Sequence, residues 1–554
     1  MRIDLYWVNA MLGGPPPRWS LGRVYPTGGR PRDVAEALSA REPGADYIYF
    51  RDATLGVPDE AYIAALAQTP GDVRHAGLAL GMGGLPHLID YVDPVWRFNR
   101  DPAPDKVATS WRLSLRACLT RAVVVEKLGG PDPHFETLAA ASLEMGHRWI
   151  QAGALMRHIA ELVTPGAQAT ERPSLPLDDE MRFLRLRYGR MWTAWACWRN
   201  WRRGGGLADT VRAFNRPQPP GVPMPDSFVH APDPVSPPET PGRDETPTVS
   251  VLIPTLDRYP HLFNLLAQLR EQTIPPLEII VIDQTQGDGH DPNWPATFTD
   301  LPLRVIWRDQ AGQCSSRNAG LEAARGDAIL FLDDDDEIES DLIARHLSFM
   351  DRFDVDASCG VAEETGMGAL PPSFHLIRES DVFPTNNTLL KTAALKGSGL
   401  FDLAYEKGER ADHDLGMRLY LSGARLALNP GASVVHLHAP RGGLRQHKAR
   451  VVTRASSRAS IWGRQFLAPT EGYLWYRYFS PAQAHEALLI RTLGTLRGSQ
   501  TGARHIARIM AMTLLLPFTR RKNFDNLIIG REKLVDYPQI PNYTPASAGE
   551  AAAL

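Results

Sequence analysis

The sequence has little cysteine: Cys118, Cys197, Cys314 and Cys359 are the only four in 554 residues. They lie far apart and form no CxxC pair. This excludes a disulfide framework and a thiolate zinc site, and it fits a reducing, cytoplasmic setting. Long apolar runs are missing too. The longest near the end, IMAMTLLLPF at 509–518, falls well short of the ~20 residues a membrane-spanning helix needs. It reads as a buried helix in preference to an interfacial one. The opening MRIDLYWVNA has no basic stretch leading into an apolar one, so no signal peptide is expected. Charge of one sign does not dominate, with a formal net charge of −3, and no recognition motif for nucleic acid accompanies what charge there is.

What is present is unevenly distributed. A chain of this length is long for one hydrophobic core, so several domains are expected. Residues 1–165 read as a small α/β region, with YIYF (47–50) as a buried strand and RPRDVAEALSA before it as a helix. Residues 166–247 combine a Trp- and Arg-rich helix, read as continuous over 178–203, with a proline-dense linker over 217–247. From Thr248 short β-branched strands alternate with helices: VSVLIPT (249–255), HLFNLLAQLREQ (261–272), LEIIVID (277–283), SSRNAGLEAARG (315–326) and AILFLD (328–333). That alternation predicts a parallel, doubly wound sheet over a domain spanning 248–440. Ligands bind such sheets beyond the carboxyl ends of the strands, which here carry Thr255, Asp283 and Asp333. Residues 441–554 read as helices. Between Arg441 and Lys522 there are fifteen Lys or Arg against two Glu. Two readings of that basic region stand equal: helices at the surface of an anionic membrane, or a solvated helical face packed on the preceding domain.

The densest chemistry is the run Asp333, Asp334, Asp335, Asp336. Four adjacent carboxylates repel one another, and holding them at the end of a buried strand calls for positive charge. Mg²⁺ or Mn²⁺ would supply it, since both take oxygen ligands and bridge to phosphates. A solvated acidic turn is the plainer alternative, and the preceding strand argues against it.

The order VSVLIPTLDR, LEIIVIDQT, SSRNAGLEAARGDAILFLDDDD resembles the nucleotide-binding half of a family 2 glycosyltransferase with the GT-A fold. TNNTLLKTAALKGSGLFD (385–402), RADHDLGMRLYLSGARL (410–426) and VVHLHAPRGG (434–443) are similar to that family's acceptor-side, base-bearing and histidine-bearing segments. The resemblance implies an α/β fold with a Rossmann-like, mostly parallel sheet, and inverting sugar transfer from a UDP-, dTDP- or GDP-sugar. The acceptor would be a glycan or lipid-linked glycan in cell-surface polysaccharide synthesis. Asp333 and Asp335 stand at the DxD positions, with Mn²⁺ or Mg²⁺ on Asp335 and Asp333. His436 is the implied further ligand and His438 its rival. The implied donor-side set is Pro254, Thr255, Asp283, Gln284, Arg317, Asp333 and Asp334. Asp412 matches the general base that would take the acceptor hydroxyl's proton, and Asp414 is the alternative. Two positions depart from the usual pattern: Gln284 replaces the second Asp after the second strand, and Ala411 replaces the Glu before Asp412. Asp-Gln is similar to rhamnosyl- and galactofuranosyltransferase-like members, which favours a deoxyhexose or furanose donor.

The chain also resembles itself. LTRAVVVEKLGGPDPHF (119–135) lies against LLKTAALKGSGLFDLAY (389–405) at a constant offset of 270. There Ser142 stands opposite Asp412 and Glu144 opposite Asp414, while FLDDDD corresponds to FRDATL, which keeps only Asp52. The first 165 residues are therefore expected to be a degenerate, smaller GT-A-like domain without chemistry. Two rival functions remain. A nucleotidyltransferase would need a glycine-rich triphosphate loop where LIPTLDRYP stands, and a non-catalytic glycan-binding scaffold has no use for the acids at 333–335 and 412.

Overall fold

In the first half β1 (Ile3–Val8), β2 (Val24–Pro26), β3 (Tyr47–Asp52), β4 (Val73–His75), β5 (Ala108–Thr109), β6 (Ala117–Arg121) and β7 (Met156–His158) form one sheet in the order β2-β1-β3-β6-β4-β7-β5. The second half adds β8 (Val249–Thr255), β9 (Glu278–Asp283), β10 (Leu303–Trp307), β11 (Ala328–Leu332), β12 (Asp336–Ile338), β13 (Ala357–Glu364), β14 (Arg378–Glu379), β15 (Asn387–Lys391) and β16 (Leu426–His436). Their order is β10-β9-β8-β11-β15-β13-β16-β12, with β14 also on β16. This computed structural model describes residues 1–85, 87–89, 96–163, 173–223, 228, 230, 246–366, 368–439 and 461–544.

The strands and helices read from the alternating segments after Thr248 are present, with ends shifted by a few residues. β10, β9, β8 and β11 are parallel. Covered on both faces, β8, β9 and β11 are runs of Val, Ile and Leu rather than alternating patterns. Beyond β11 the sheet turns mixed, because β15 runs antiparallel to both β11 and β13.

The two sheets repeat one topology. In chain order β1 to β7 correspond to β8, β9, β11, β13, β14, β15 and β16, and every pairing has the same sense in both halves. Edge registers agree at the offset of 270: Thr109 lies opposite Arg157 and Glu379 opposite Ala427. Polar anchors repeat as well. Asp356 accepts from Arg425 N at 2.9 Å and pairs with Lys391, while Asp72 accepts from Leu155 N at 2.8 Å and pairs with Arg121. Arg418 binds Asp414 and the Ser398 carbonyl. Arg148 binds Glu144 and the Leu128 carbonyl.

The contact between halves is reciprocal, as in a two-fold dimer. Gly153 (φ 102°) sits against the Ile377 carbonyl and Gly423 (φ 98°) against that of Val107. Thr109 and Glu379, equivalent positions, meet each other, the hydroxyl donating at 2.8 Å. A continuous buried core runs through both halves, including Trp111, Phe383 and Tyr420.

Three sequence expectations change. Helix Leu177–Arg202 is broken at Gly189 (φ 81°), so it is not continuous. A single residue with no Cβ can adopt the left-handed backbone that interrupts helical φ/ψ. It also packs on the first half and does not belong with the linker: Arg182 pairs with Asp132, and Glu180 accepts from Leu88 N. The described part of the linker does the same, with Phe228 N donating to the Ala152 carbonyl. Residues 231–245 of the linker and 440–460 of the basic region lie outside the described residues.

The third concerns the apolar run at 509–518. It lies on helix Gly502–Asp536, yet Met510, Leu514 and Phe518 are exposed, so the buried-helix expectation fails. The helix turns a polar face inward. Arg508 donates to the carbonyls of Gly463, Thr495 and Arg497, and Asn523 and Asn526 donate to those of Gln465 and Leu467. Five carbonyls that need donors thus decide which face is buried. No helix among the described residues is long and apolar enough to cross a membrane.

Candidate active site

Parallel β8, β9 and β11 end on one edge of the second sheet, and this brings Thr255, Gln284 and the acidic run together. Helix Ala411–Leu421 and the end of β16 close the opposite side. Between them lies a cavity of about 390 Å³. Pro254, Thr255, Gln284, Arg317, Asp333, Asp334, Asp335, Asp412, His436 and His438 all border it.

The four carboxylates point four ways. Asp333, the most exposed of them, pairs with Arg317 at 2.8 Å. Asp334 accepts from the Thr255 hydroxyl at 2.8 Å and from Arg258 at 3.0 Å. Asp335 accepts from Ala439 N at 2.7 Å with one oxygen, and its other oxygen lies 3.1 Å from Arg258. Asp336 turns from the cavity, accepting from Asp333 N and binding His436 Nδ1, each at 2.8 Å. Burial pushes the Asp334 and Asp336 carboxyls up to about 7. Burial alone would lower His436, but the Asp336 hydrogen bond and the charges of Asp333, Asp336 and Asp335 outweigh it and raise the ring to about 9.

Asp333, Asp335 and His436 offer ligand atoms within 4.8 Å of one another. Two carboxylates and an imidazole suit Mn²⁺ well and Mg²⁺ less naturally. The Asp336–His436 bond is of the carboxylate–histidine kind that orients a ligating imidazole. The donor set fits a divalent cation. A second trio, Glu364, His436 and His438, is equally close; there His438, on a left-handed backbone (φ 56°), pairs with Glu364, and the two trios share His436.

Asp412 and Asp414 separate cleanly. Asp412 is an exposed residue of the first turn of helix Ala411–Leu421 and borders the cavity. Asp414 is fully buried, holds Arg418 at 2.8 Å and accepts from the Tyr478 hydroxyl at 2.7 Å. With Glu144 in the same pairing in the first half, Asp414 is a packing residue, and it does not fit the alternative base role. Asp283 is buried as well and is not among the cavity's lining residues. It accepts from the Tyr259 hydroxyl, Trp294 Nε1 and Thr285 N at 2.8–3.0 Å, so three donors hold it at the end of β9. Gln284 does face the cavity. Its Oε1 accepts from Gly312 N at 2.7 Å, which leaves the amide NH₂ to donate.

Arg258, Gln313, Glu409 and Arg410 also border the cavity and escaped the sequence reading. Arg258 had a signal: an acidic run held in place needs a cation, and Arg258 stands three residues after Thr255.

Residues 250–397 match the family model for Glycosyl transferase family 2. The chain carries a family 2 glycosyltransferase domain. Relatives include "Putative glycosyltransferase EpsH" of Bacillus subtilis, 36% identical over 99 residues, which are 18% of this chain and 28% of that protein. "Uncharacterized glycosyltransferase YwdF" of the same organism is 38% identical over 89 residues, 16% of this chain and 32% of that protein. "Uncharacterized glycosyltransferase YfnE" is 24% identical over 256 residues, 34% and 65% respectively. The chain thus spans about a third of the length of the first two relatives. The family 2 match begins at β8 and ends within the short helix Leu395–Ser398, so Asp412 and His436 lie beyond it.

Proposed function

We propose that this chain is an inverting, divalent-metal-dependent glycosyltransferase that moves a hexosyl or deoxyhexosyl group from a nucleoside-diphosphate sugar to a glycan or lipid-linked glycan. The carrying observation is that the Asp333, Asp335 and His436 ligand atoms and the Asp412 carboxylate share one cavity. Asp412 takes the proton of the acceptor hydroxyl as that oxygen bonds to the anomeric carbon, and attack opposite the leaving group inverts the centre. A bound Mn²⁺ or Mg²⁺ supplies positive charge against the leaving diphosphate. Arg317, paired with Asp333 at 2.8 Å, adds a fixed cation, and Gln284 presents its amide to the base or ribose. A panel of UDP-, dTDP- and GDP-sugars, assayed for nucleoside diphosphate release with and without Mn²⁺, tests the reading. Failure of every donor under both conditions overturns it.

The first half is read as a non-catalytic copy. Asp52 occupies the place of Asp333, and Arg116, Asn9 and Thr54 already take its oxygens. Arg116 thereby fills the role a metal would have. A cytoplasmic protein held at the inner face of the membrane fits helix Gly502–Asp536. Ile506, Met510, Leu514 and Phe518 form an exposed i, i+4 stripe, and exposed Arg520, Arg521 and Lys522 follow it. Cosedimentation with phosphatidylglycerol and phosphatidylcholine vesicles tests this. Binding to neither, or equally to both, refutes it.

A further inference from the structure

A second cavity, of about 580 Å³, opens where the two halves meet, within the ~300–1,000 Å³ range of small-molecule sites. Trp96, His147, Gln151, Arg187 and Tyr188 come from the first half and its appended helix, and Asp381 from the second. Trp96 and Tyr188 provide ring surface. Gln151, Arg187 and Asp381 provide a planar amide, a guanidinium and a carboxylate. Rings that cover C–H faces, interleaved with planar groups that pair with adjacent hydroxyls, are the chemistry that recognises a neutral pyranose.

The groups are fixed. Trp96 Nε1 donates to Asp381 at 3.0 Å, and Arg378 donates to the same carboxylate at 2.8 Å. The Tyr188 hydroxyl bonds His147 Nε2 at 3.0 Å, and Arg187 is braced on Glu144 at 2.7 Å. Burial keeps His147 neutral, pushing it down to about 3, so the Tyr188 contact does not change across physiological pH. Preorganisation of this kind lowers the entropy lost on binding.

Position ties the cavity to the chemistry. Asp381 lines this cavity and Thr385 lines the catalytic one. Four residue steps span at most ~14 Å, the reach of a short oligosaccharide. Trp96 leads into Arg97, whose fully buried guanidinium packs on Gly416, one turn along the helix from Asp412.

We propose that the inter-half cavity is a subsite for a neutral sugar unit of the acceptor glycan, a few units from the hydroxyl that reacts. The identity of the ligand as acceptor rests on the transferase reading, whereas sugar binding there does not. Saturation-transfer NMR with the methyl glycosides of rhamnose, galactose, glucose and N-acetylglucosamine, at millimolar concentration on the full chain, tests the proposal. At least one glycoside should bind, should weaken about fivefold or more on losing a ring or amide contact in Tyr188→Ala and Gln151→Leu, and should be retained in Asp412→Asn. Gln151 is exposed, so its variant folds even if Tyr188→Ala does not. Binding by none of the four overturns the proposal, and so does binding abolished by Asp412→Asn but not by Gln151→Leu. Nucleoside diphosphate release is measured on the unsubstituted chain. Release without glycoside binding removes the subsite and leaves the transferase standing, while binding without release does the converse.

Discussion

Asp412 and Asp414 stand two residues apart on one helix, and exchanging each for a non-acid should break different things. Asp414 has no exposed surface and holds Arg418 at 2.8 Å, with the Tyr478 hydroxyl at 2.7 Å. Removing its charge strands a guanidinium that is itself almost fully buried. Breaking a buried pair on one side costs ~3–5 kcal/mol, and at ~2–4 °C per kcal/mol for a domain of this size the melting temperature should fall ~6–20 °C. Asp412 is exposed in the cavity, so Asp412→Asn should leave melting unchanged and abolish transfer. Thermal melts by circular dichroism, paired with nucleoside diphosphate release, separate the two. Glu144→Ala is the internal control. It breaks the same pairing 270 residues earlier, between two fully buried side chains, and should lower the melting temperature similarly although no candidate catalytic group is nearby. If Asp414→Asn melts like the parent but transfers nothing, the packing assignment is wrong and Asp414 is the base.

Calorimetry with Mn²⁺ and UDP should show metal-dependent binding that Asp335→Ala removes and Asp52→Ala keeps. Equal loss in both variants would contradict the division between halves. Gly153→Ala and Gly423→Ala each place a Cβ within 3 Å of a backbone carbonyl at positive φ. Each should cost ~1–3 kcal/mol, read in denaturant midpoints. Burial pushes Glu379, at the contact between halves, up to about 7, against ~4.3 unfolded. A carboxyl raised on folding favours the folded state while protonated. Its contribution is therefore complete below the unfolded value and lost as pH rises from ~4.3 to ~7, on the order of 4 kcal/mol. Glu379→Gln should flatten that part of a stability–pH curve, and an unchanged slope would refute the assignment.

Much of this was written in local pattern. The strands at 249–255, 277–283 and 328–333 could be read because buried parallel strands are apolar runs ended by polar residues, and the acidic run stood directly after one of them. The internal repeat could be read at 119–135 against 389–405 because helix ends, glycines and buried pairs demand the same residue types twice. Local pattern could not say which of two nearby carboxylates faces the cavity. On the first turn of a helix Asp412 and Asp414 point in directions that only the neighbours decide, and Arg418 and Tyr478 claim one of them. The partners of Asp283 were out of reach for the same reason, since Tyr259 and Trp294 close over it from segments that composition does not connect to it. The apolar stripe of helix Gly502–Asp536 faces outward because five carbonyls of the packed region need donors, a requirement that exists only once the fold has formed. The sequence by itself determined the strand–helix alternation after Thr248, the location of the acidic run and the offset of 270 between the two halves. The tertiary structure alone decided how the four carboxylates diverge, which histidine Asp336 orients, and that the halves meet around a shared cavity, because each depends on distances between residues far apart in the chain.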